Sequence, residues 1–489
     1  MRTAFLLLST TAVAASPAIL SAQVAGRGLN PRYVAEAQQD HPKLVEEFGG
    51  AETGARAAYV DSVGRRVATY SGVMPGAYRF TVLNSAVENA FALPGGYIYI
   101  TRQLMGLMDN ESELAFALGH EVGHVAANHA QARQSYAQRS TILGVLGAVL
   151  GGVLGSNVFG DMLSRGAMQA AQLSTLRFSR NQEYQADKLG MRYLVSAGYD
   201  PGGAAGVLAA ITRATALEAR VQGRDSRQTP EWASTHPLSA NRVQLALADA
   251  RATGRLGTGL RNRDQFLSQL EGIYVDDDPA QGVIEGRTFT HPDLRIFFAV
   301  PPGYLMQNGT TAVSISGSGG KAQFSGGRYS GPLESYIGRV LQELAGGQVR
   351  LAVAPPQRTT INGIPTAYST ARANTSRGAV DVSVFAYQWN SNTVYHFVML
   401  TRGGAGVGPF VPMVESIRRI TPTEAAAIRP RIIDVVTVRP GDTVQSLASR
   451  MAYRSFQLER FLSLNNLAAN SRLAPGQKVK LIVYGARRA

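Results

Sequence analysis

Cysteine is absent from all 489 residues. That excludes a disulfide framework, a thiol nucleophile and a lipoprotein anchor, and leaves an oxidising compartment tolerable. Long apolar runs are missing too. The apolar core near the start, from Ala4 to Leu8 and the patch after it, is short for spanning a bilayer. The nearly uncharged stretch 141–160 is shorter and richer in glycine than a transmembrane helix. Acidic residues are in the minority, 34 against 48 Lys and Arg, for a formal charge of +14. Such a balance can serve nucleic acid, but aromatic–basic recognition motifs are lacking, so no nucleic-acid partner is expected. Anionic envelope polymers or lipids are the better counterpart. At 45% hydrophobic and 17% charged, the chain has ample material for several globular cores.

What is present begins with His120-Glu121-Val122-Gly123-His124. Apolar residues at Leu114, Ala117, Leu118 and Val122 recur with a helical period, and Asn110 with Glu113 resembles a capping box. Two imidazoles at i and i+4 leave one helical face about a turn apart, a spacing that suits one tetrahedral zinc. Glu121 then stands where it can take a proton from a zinc-activated water. A third ligand must come from downstream. A histidine six residues after His124 is not available, because Ala130 stands there. His129 lies one residue off register, about 100° around a continuing helix, and is not expected to reach the ion. The acids that follow are Asp161, then Glu183 with Asp187 one turn on. The second pair suits a carboxylate ligand backed by an acid that receives the free ring N–H of a ligating histidine.

Taken together, four segments resemble the zinc metallopeptidases that include CAAX prenyl protease and the HtpX-like, Oma-like and BepA-like enzymes. They are Asn89-Ala-Phe-Ala-Leu-Pro-Gly-Gly96-Tyr-Ile-Tyr-Ile, His120–His124, Glu183-Tyr-Gln-Ala-Asp187, and Ser234-Thr-His236-Pro237 with Arg242. The resemblance implies a mainly helical zincin-type domain over 29–250 with a small edge-strand sheet. It implies that His120, His124 and Glu183 hold one zinc ion, that Glu121 is the general base, and that Asp187 supports the ligands from behind. It also gives His236 a catalytic place at the metal or the oxyanion. Asn89, Ala90, Phe91, Gly95 and Gly96 would form the substrate-binding edge, to which an extended protein or peptide substrate adds by backbone hydrogen bonds.

Residues 1–22, with Arg2, an apolar core and small residues up to Ala22, read as a secretory signal and imply a periplasmic chain. The stretch 141–160 is a buried hairpin or a membrane-surface contact. A linker is expected over 251–285, rich in Gly, Arg and Asp, and an α+β domain without a catalytic cluster over 286–422. The tail, 430–485, resembles a LysM domain of βααβ order through Pro440-Gly-Asp-Thr443, Leu464-Asn465 and Pro475-Gly-Gln477. Asp442 is expected to cap its first helix. The tail is also expected to fold alone, and the resemblance implies peptidoglycan as its partner. The function implied is a secreted zinc-dependent metalloendopeptidase of envelope protein quality control. The alternatives are a peptidoglycan-directed hydrolase and a non-catalytic assembly factor.

Overall fold

The computed structural model describes residues 26–129, 178–221, 236, 241–345, 352–375 and 378–487. The readings of a signal at 1–22 and of a hairpin at 141–160, and the candidate Asp161, fall outside the described residues. Among those residues no helix is long and apolar enough to cross a membrane.

Helices α1 (Pro31–Glu47) and α2 (Gly54–Ala68) lead into strands β1 (Arg79–Leu83), β2 (Ala90–Ala92) and β3 (Tyr97–Thr101). The sheet order is β1-β3-β2, with β1 parallel and β2 antiparallel to β3, so β2 is an edge strand. Next come α3 (Arg102–Leu107) and α4 (Glu111–Ala126), then α5 (Arg180–Ser196), α6 (Gly202–Val221) and α7 (Arg242–Ala252). α4 starts where the sequence says it should. The Asn110 side chain accepts from the Glu113 N–H, and the Glu113 carboxylate returns to the Asp109 N–H at 2.9 Å. The reciprocal bond thus lands one residue before the cap. α5 begins in a full capping box between Ser179 and Gln182.

The expected linker, 251–285, is instead ordered. It holds α8 (Arg263–Leu270), whose Phe266, Leu267 and Leu270 are buried, and β4 (Tyr274–Val275). These apolar residues at helical spacing stand among Gly, Arg and Asp, so composition hid them. β4 pairs with a strand of the C-terminal tail.

Strands β5 (Val283–Glu285), β6 (Thr288–His291) and β7 (Ile296–Ala299) open the middle domain. β8 (Leu305–Asn308), β9 (Ala312–Gly317) and β10 (Gly320–Arg328) follow, then α9 (Leu333–Ala345). The run continues through β11 (Ala352–Val353), β12 (Gln357–Ile361), β13 (Ile364–Thr375), β14 (Gly378–Asn390) and β15 (Thr393–Arg402). An eight-stranded antiparallel sheet has the order β11-β13-β14-β15-β10-β9-β8, with β12 also on β13. From Val384 to Tyr387, β14 is apolar without alternation because both its faces are covered there. Val382, Val384 and Ala386 meet α9, while Phe385 and Tyr387 face the opposite core with Phe298 and Phe397. A short helix, α10 (Val411–Ser416), gives way to β16 (Arg418–Arg419), which pairs with β7. A last turn of helix, α11 (Pro422–Ala427), leads out.

The tail folds as β17 (Arg431–Thr437), α12 (Val444–Ala448), α13 (Gln457–Leu464) and β18 (Lys478–Tyr484), the expected βααβ order. Thr443, not Asp442, caps α12, and Asp442 instead closes the turn by accepting from the Arg439 N–H at 2.7 Å. Nor is the tail a separate body. Ile433, Leu447, Phe461, Leu464, Val479 and Leu481 belong to one continuous apolar core with Leu104, Met108, Leu114 and Leu267. Lys480, fully buried, donates to Gly106 O at 3.1 Å and Met108 O at 2.7 Å, and pairs with Asp109 at 3.2 Å. The lysine thereby grips the turn that precedes α4.

Three consecutive aspartates make the junction. Asp276 accepts from Arg431 and Tyr453 of the tail, at 3.2 and 2.9 Å. Asp277 accepts from the Ile284 N–H and Asn308 of the middle domain, at 2.8 and 3.3 Å. Asp278 accepts from Asn84 beside the first sheet, at 2.8 Å. Beneath them the buried Arg102 donates to Tyr274 O and Asp276 O at 2.7 and 2.6 Å.

Candidate metal centre

α4 and α5 pack so closely that a Cβ on Gly190 would lie 3.0 Å from His120 N, and one on Gly123 3.2 Å from Ala186 O. These glycines let the two backbones approach, which brings the α5 carboxylates onto the α4 histidines. His120, His124, Glu183 and His236 each offer a ligand atom, and these atoms lie within 4.8 Å of one another. All four residues are buried. The Nε2 atoms of His120 and His124 are 3.0 Å apart, and His236 Nδ1 lies 3.1 Å from both oxygens of Glu183.

Each helical histidine is held from behind at its other nitrogen. His120 Nδ1 lies 2.9 Å from Asp187 Oδ1. Asp187 in turn receives two bonds from Arg242, at 2.9 and 2.7 Å, and a third Arg242 nitrogen sits 3.1 Å from Glu183. His124 Nδ1 lies 2.9 Å from His129 Nδ1, and His129 Nε2 faces Gln185 Oε1 at 3.0 Å. With both outer nitrogens engaged, two inner nitrogens point at one another across 3.0 Å, an arrangement that calls for a proton or a cation between them. Three imidazoles and a carboxylate are donors of the kind that bind first-row divalent metals.

Electrostatics follow from burial and these pairings. Burial opposes the charged form of His120, but Asp187 and Glu183 outweigh it and hold the ring up at about 10. Burial takes His124 well below the usual imidazole range. Burial would raise Glu183, yet His236, His120 and His124 keep it well below ordinary carboxylates. Glu121 is raised, chiefly by burial. Its Oε1 lies 3.6 Å from His236 Nε2, and its Oε2 finds no hydrogen-bond partner among the described residues. A metal would add its own charge to this balance and compete with the proton for the ring nitrogens.

The sequence-derived residues divide into two groups. His120, Glu121, His124, Glu183, Asp187 and His236 are brought together. Ala90 joins them, its carbonyl 3.3 Å from His236 Nε2. The other residues of the predicted edge pack into the fold through their side chains or turns. Asn89 is buried, its N–H bonded to Thr101 at 3.1 Å, and Phe91 stacks on Tyr99 inside a core with Phe48. A Cβ on Gly95 would lie 2.4 Å from Tyr33 O of α1, and Gly96 turns with φ +84°. Two residues had no role assigned from sequence. Phe178 stacks on His124, centroids 3.6 Å apart. His129 stays out of the four-donor cluster, as expected, yet supports His124. The register argument assumed a continuing helix, but α4 ends at Ala126 and Asn128 adopts φ +54°, which swings His129 back. Asn, which tolerates that conformation better than most residues other than glycine, was the available signal.

Two cavities of about 20 Å³ flank the cluster, room for a single water each. One is lined by Leu104, Phe116, Glu121 and Ile211, the other by Leu93, Pro94, His124 and Phe178.

Comparison with known proteins adds to this geometry. Residues 54–250 match the profile of Peptidase family M48, and residues 436–481 that of the LysM domain. Over 197 residues, 40% of the chain, the sequence is 32% identical to the beta-barrel assembly-enhancing protease of Escherichia coli, covering 38% of that protein. It is 32% identical over 164 residues, 34% of the chain, to the mitochondrial metalloendopeptidase OMA1 of Arabidopsis thaliana, covering 30% of it. Over 157 residues, 32% of the chain, it is 32% identical to the metalloprotease LoiP of Escherichia coli, covering 56% of that protein. The chain thus spans well under two thirds of the length of each.

Proposed function

Given that residues 54–250 match peptidase family M48 and residues 436–481 the LysM domain, we propose that the chain is a zinc-dependent metalloendopeptidase of the periplasm. Its substrates are envelope proteins that have misfolded or failed to assemble, and its LysM domain places it on peptidoglycan. The observation that carries the reading is the buried cluster of three histidines and Glu183, with the Glu121 carboxyl beside it. His120, His124 and Glu183 would hold the metal. When bound, zinc supplies Lewis-acid polarisation of water and of the scissile carbonyl. Glu121, its affinity for protons raised by burial, accepts a proton from the attacking water at a carboxylate oxygen and returns it to the leaving amine. Asp187, fixed by Arg242, and His129 keep the ligand rings oriented. β2 offers its edge, through the Ala90 carbonyl, to an extended substrate.

His236 would offer a bound metal a fourth protein donor, as in a closed site, where a catalytic site keeps one position open. Access requires His236 to swing away. On the LysM side, the turn 439–443 and the loop 466–476 remain largely exposed while the strands face the peptidase, which leaves the loop end available to glycan. A surface contact of 141–160 with the membrane belongs to the same proposal.

The purified chain is expected to hold one zinc, and Glu121→Gln to keep it while losing about 10²–10⁴ of the cleavage of an unfolded protein. His236→Ala is expected to cleave faster than the parent. Zinc content by mass spectrometry and release of fragments from casein check both. Degradation of sacculi but not of protein would favour the cell-wall hydrolase. No cleavage of either, even with His236→Ala, would favour the assembly factor, for which the fourth protein donor is the supporting observation.

A further inference from the structure

A cleft of about 600 Å³ lies where the peptidase, middle and LysM parts meet, apart from the metal centre. Leu305, Met306, Gln307 and Asn308 all line it. Ser314 and Ser316 of β9 line it as well, so the cleft runs over one face of the β8–β9 pair and around β8, whose consecutive residues alternate between faces. β8 is the last strand of its sheet, with β9 on its inner side. Four polar atoms on cleft-lining residues are buried with no hydrogen-bond partner among the described residues: Thr215 Oγ1, Asn308 Oδ1, Ser314 Oγ and Arg460 Nε. They come from three separate parts of the chain. Two hydroxyls, an amide oxygen and a guanidinium N–H thus place both donors and acceptors in the residues of the cleft wall. Leu107, Leu217 and Leu305 supply apolar wall between them. The cleft also reaches Ala86, Val87 and Glu88, which run through Asn89 into β2 beside the metal cluster.

We propose that this cleft is a second polypeptide-binding site, in which an extended segment of the protein substrate adds as a strand to β8 while a neighbouring segment of the same chain reaches β2. The proposal rests on the peptidase reading above and specifies how that enzyme selects long, unfolded chains over short ones. Strand addition demands an extended backbone rather than a particular sequence.

The test uses the full chain with Ser316→Trp, whose side chain stands opposite Leu305 in the ladder and would fill the cleft, and separately with Leu305→Asp. Both positions are exposed, so the fold should persist, which thermal unfolding checks. In the Glu121→Gln background, affinity for fluorescein-labelled casein is expected to fall by roughly tenfold or more in either variant. In the active background, KM for casein should rise while kcat/KM for a short quenched peptide stays constant. Unchanged casein affinity in both folded variants overturns the proposal. So does a parallel loss on the short peptide, or displacement of the bound casein by soluble peptidoglycan fragments, which would assign the cleft to glycan. Casein held at the cleft but never cleaved by the parent would leave this site standing and remove the peptidase reading. Cleavage with no cleft dependence would do the reverse.

Discussion

An imidazole can give a metal only the nitrogen that carries no proton, so the group at its other nitrogen decides whether it is ready to bind. For His120 that group is Asp187, and for His124 it is His129. An amide oxygen only accepts, so facing Gln185 Oε1 puts the His129 proton on Nε2 and makes its Nδ1 the acceptor. His124 then donates from Nδ1 and keeps Nε2 bare. Replacing His129 with Ala should weaken metal binding by about 10–100-fold, as read by competition with a chelator. His129→Gln, which can restore an acceptor, should recover part of the loss. Equal affinity in the Ala variant would mean that the tautomer is set elsewhere. The His120–His124 pair, Glu121 and Glu183 were legible because a regular helix fixes direction from spacing alone. His129 was not, because one residue of positive φ cancels that arithmetic.

At the level of elements, the distance between α4 and α5 sets the geometry of the donors. Gly190→Ala gains helix propensity of about 1 kcal/mol, but its methyl would sit 3.0 Å from His120 N and 3.2 Å from His120 Cα. Backbone cannot give way as a side chain can, and overpacking of this kind costs about 1–3 kcal/mol. The balance is therefore expected to fall on the side of loss. Chemical denaturation should show lower stability, and zinc should bind more weakly because Glu183 moves away from the histidines. A stabilised variant with unchanged zinc affinity would refute the tight-contact account. Caps and amphipathic periods made α4, α5 and the βααβ tail readable. The pairing of β4 with β17 was not, since two residues of strand carry no period and their partner is more than 150 positions away.

Over the whole molecule, an apolar residue in a sequence declares that it will be buried but not against what. That is why the tail read as a free module although its core is continuous with the peptidase. Lys480→Met would leave two carbonyls and Asp109 without their cation in a buried place, a loss of about 3–5 kcal/mol. Urea unfolding should show it, with the metal helix destabilised along with the tail. The junction also responds to pH. Burial raises Asp277 from 3.8 to about 6. A carboxyl that binds its proton more tightly in the folded state contributes stability when protonated and loses it as pH rises. Between about pH 4 and 6 the Asp277 contribution should therefore decline, and Asp277→Asn should flatten that part of the profile of Tm against pH. An identical slope in the variant would place the dependence on other groups.

The run Asp276-Asp277-Asp278 has a further consequence, for how such a chain can diverge. Successive Cα atoms are about 3.8 Å apart, and each of the three side chains answers to a different part of the molecule. Substitution at one of them costs one attachment. Insertion or deletion of a single residue between them would shift the phase of all that follows, so that the attachments on its two sides could not be kept together. Length, more than identity, is what inheritance must preserve here, and descendants of this architecture should vary in their surface loops while these three positions never gain or lose a neighbour.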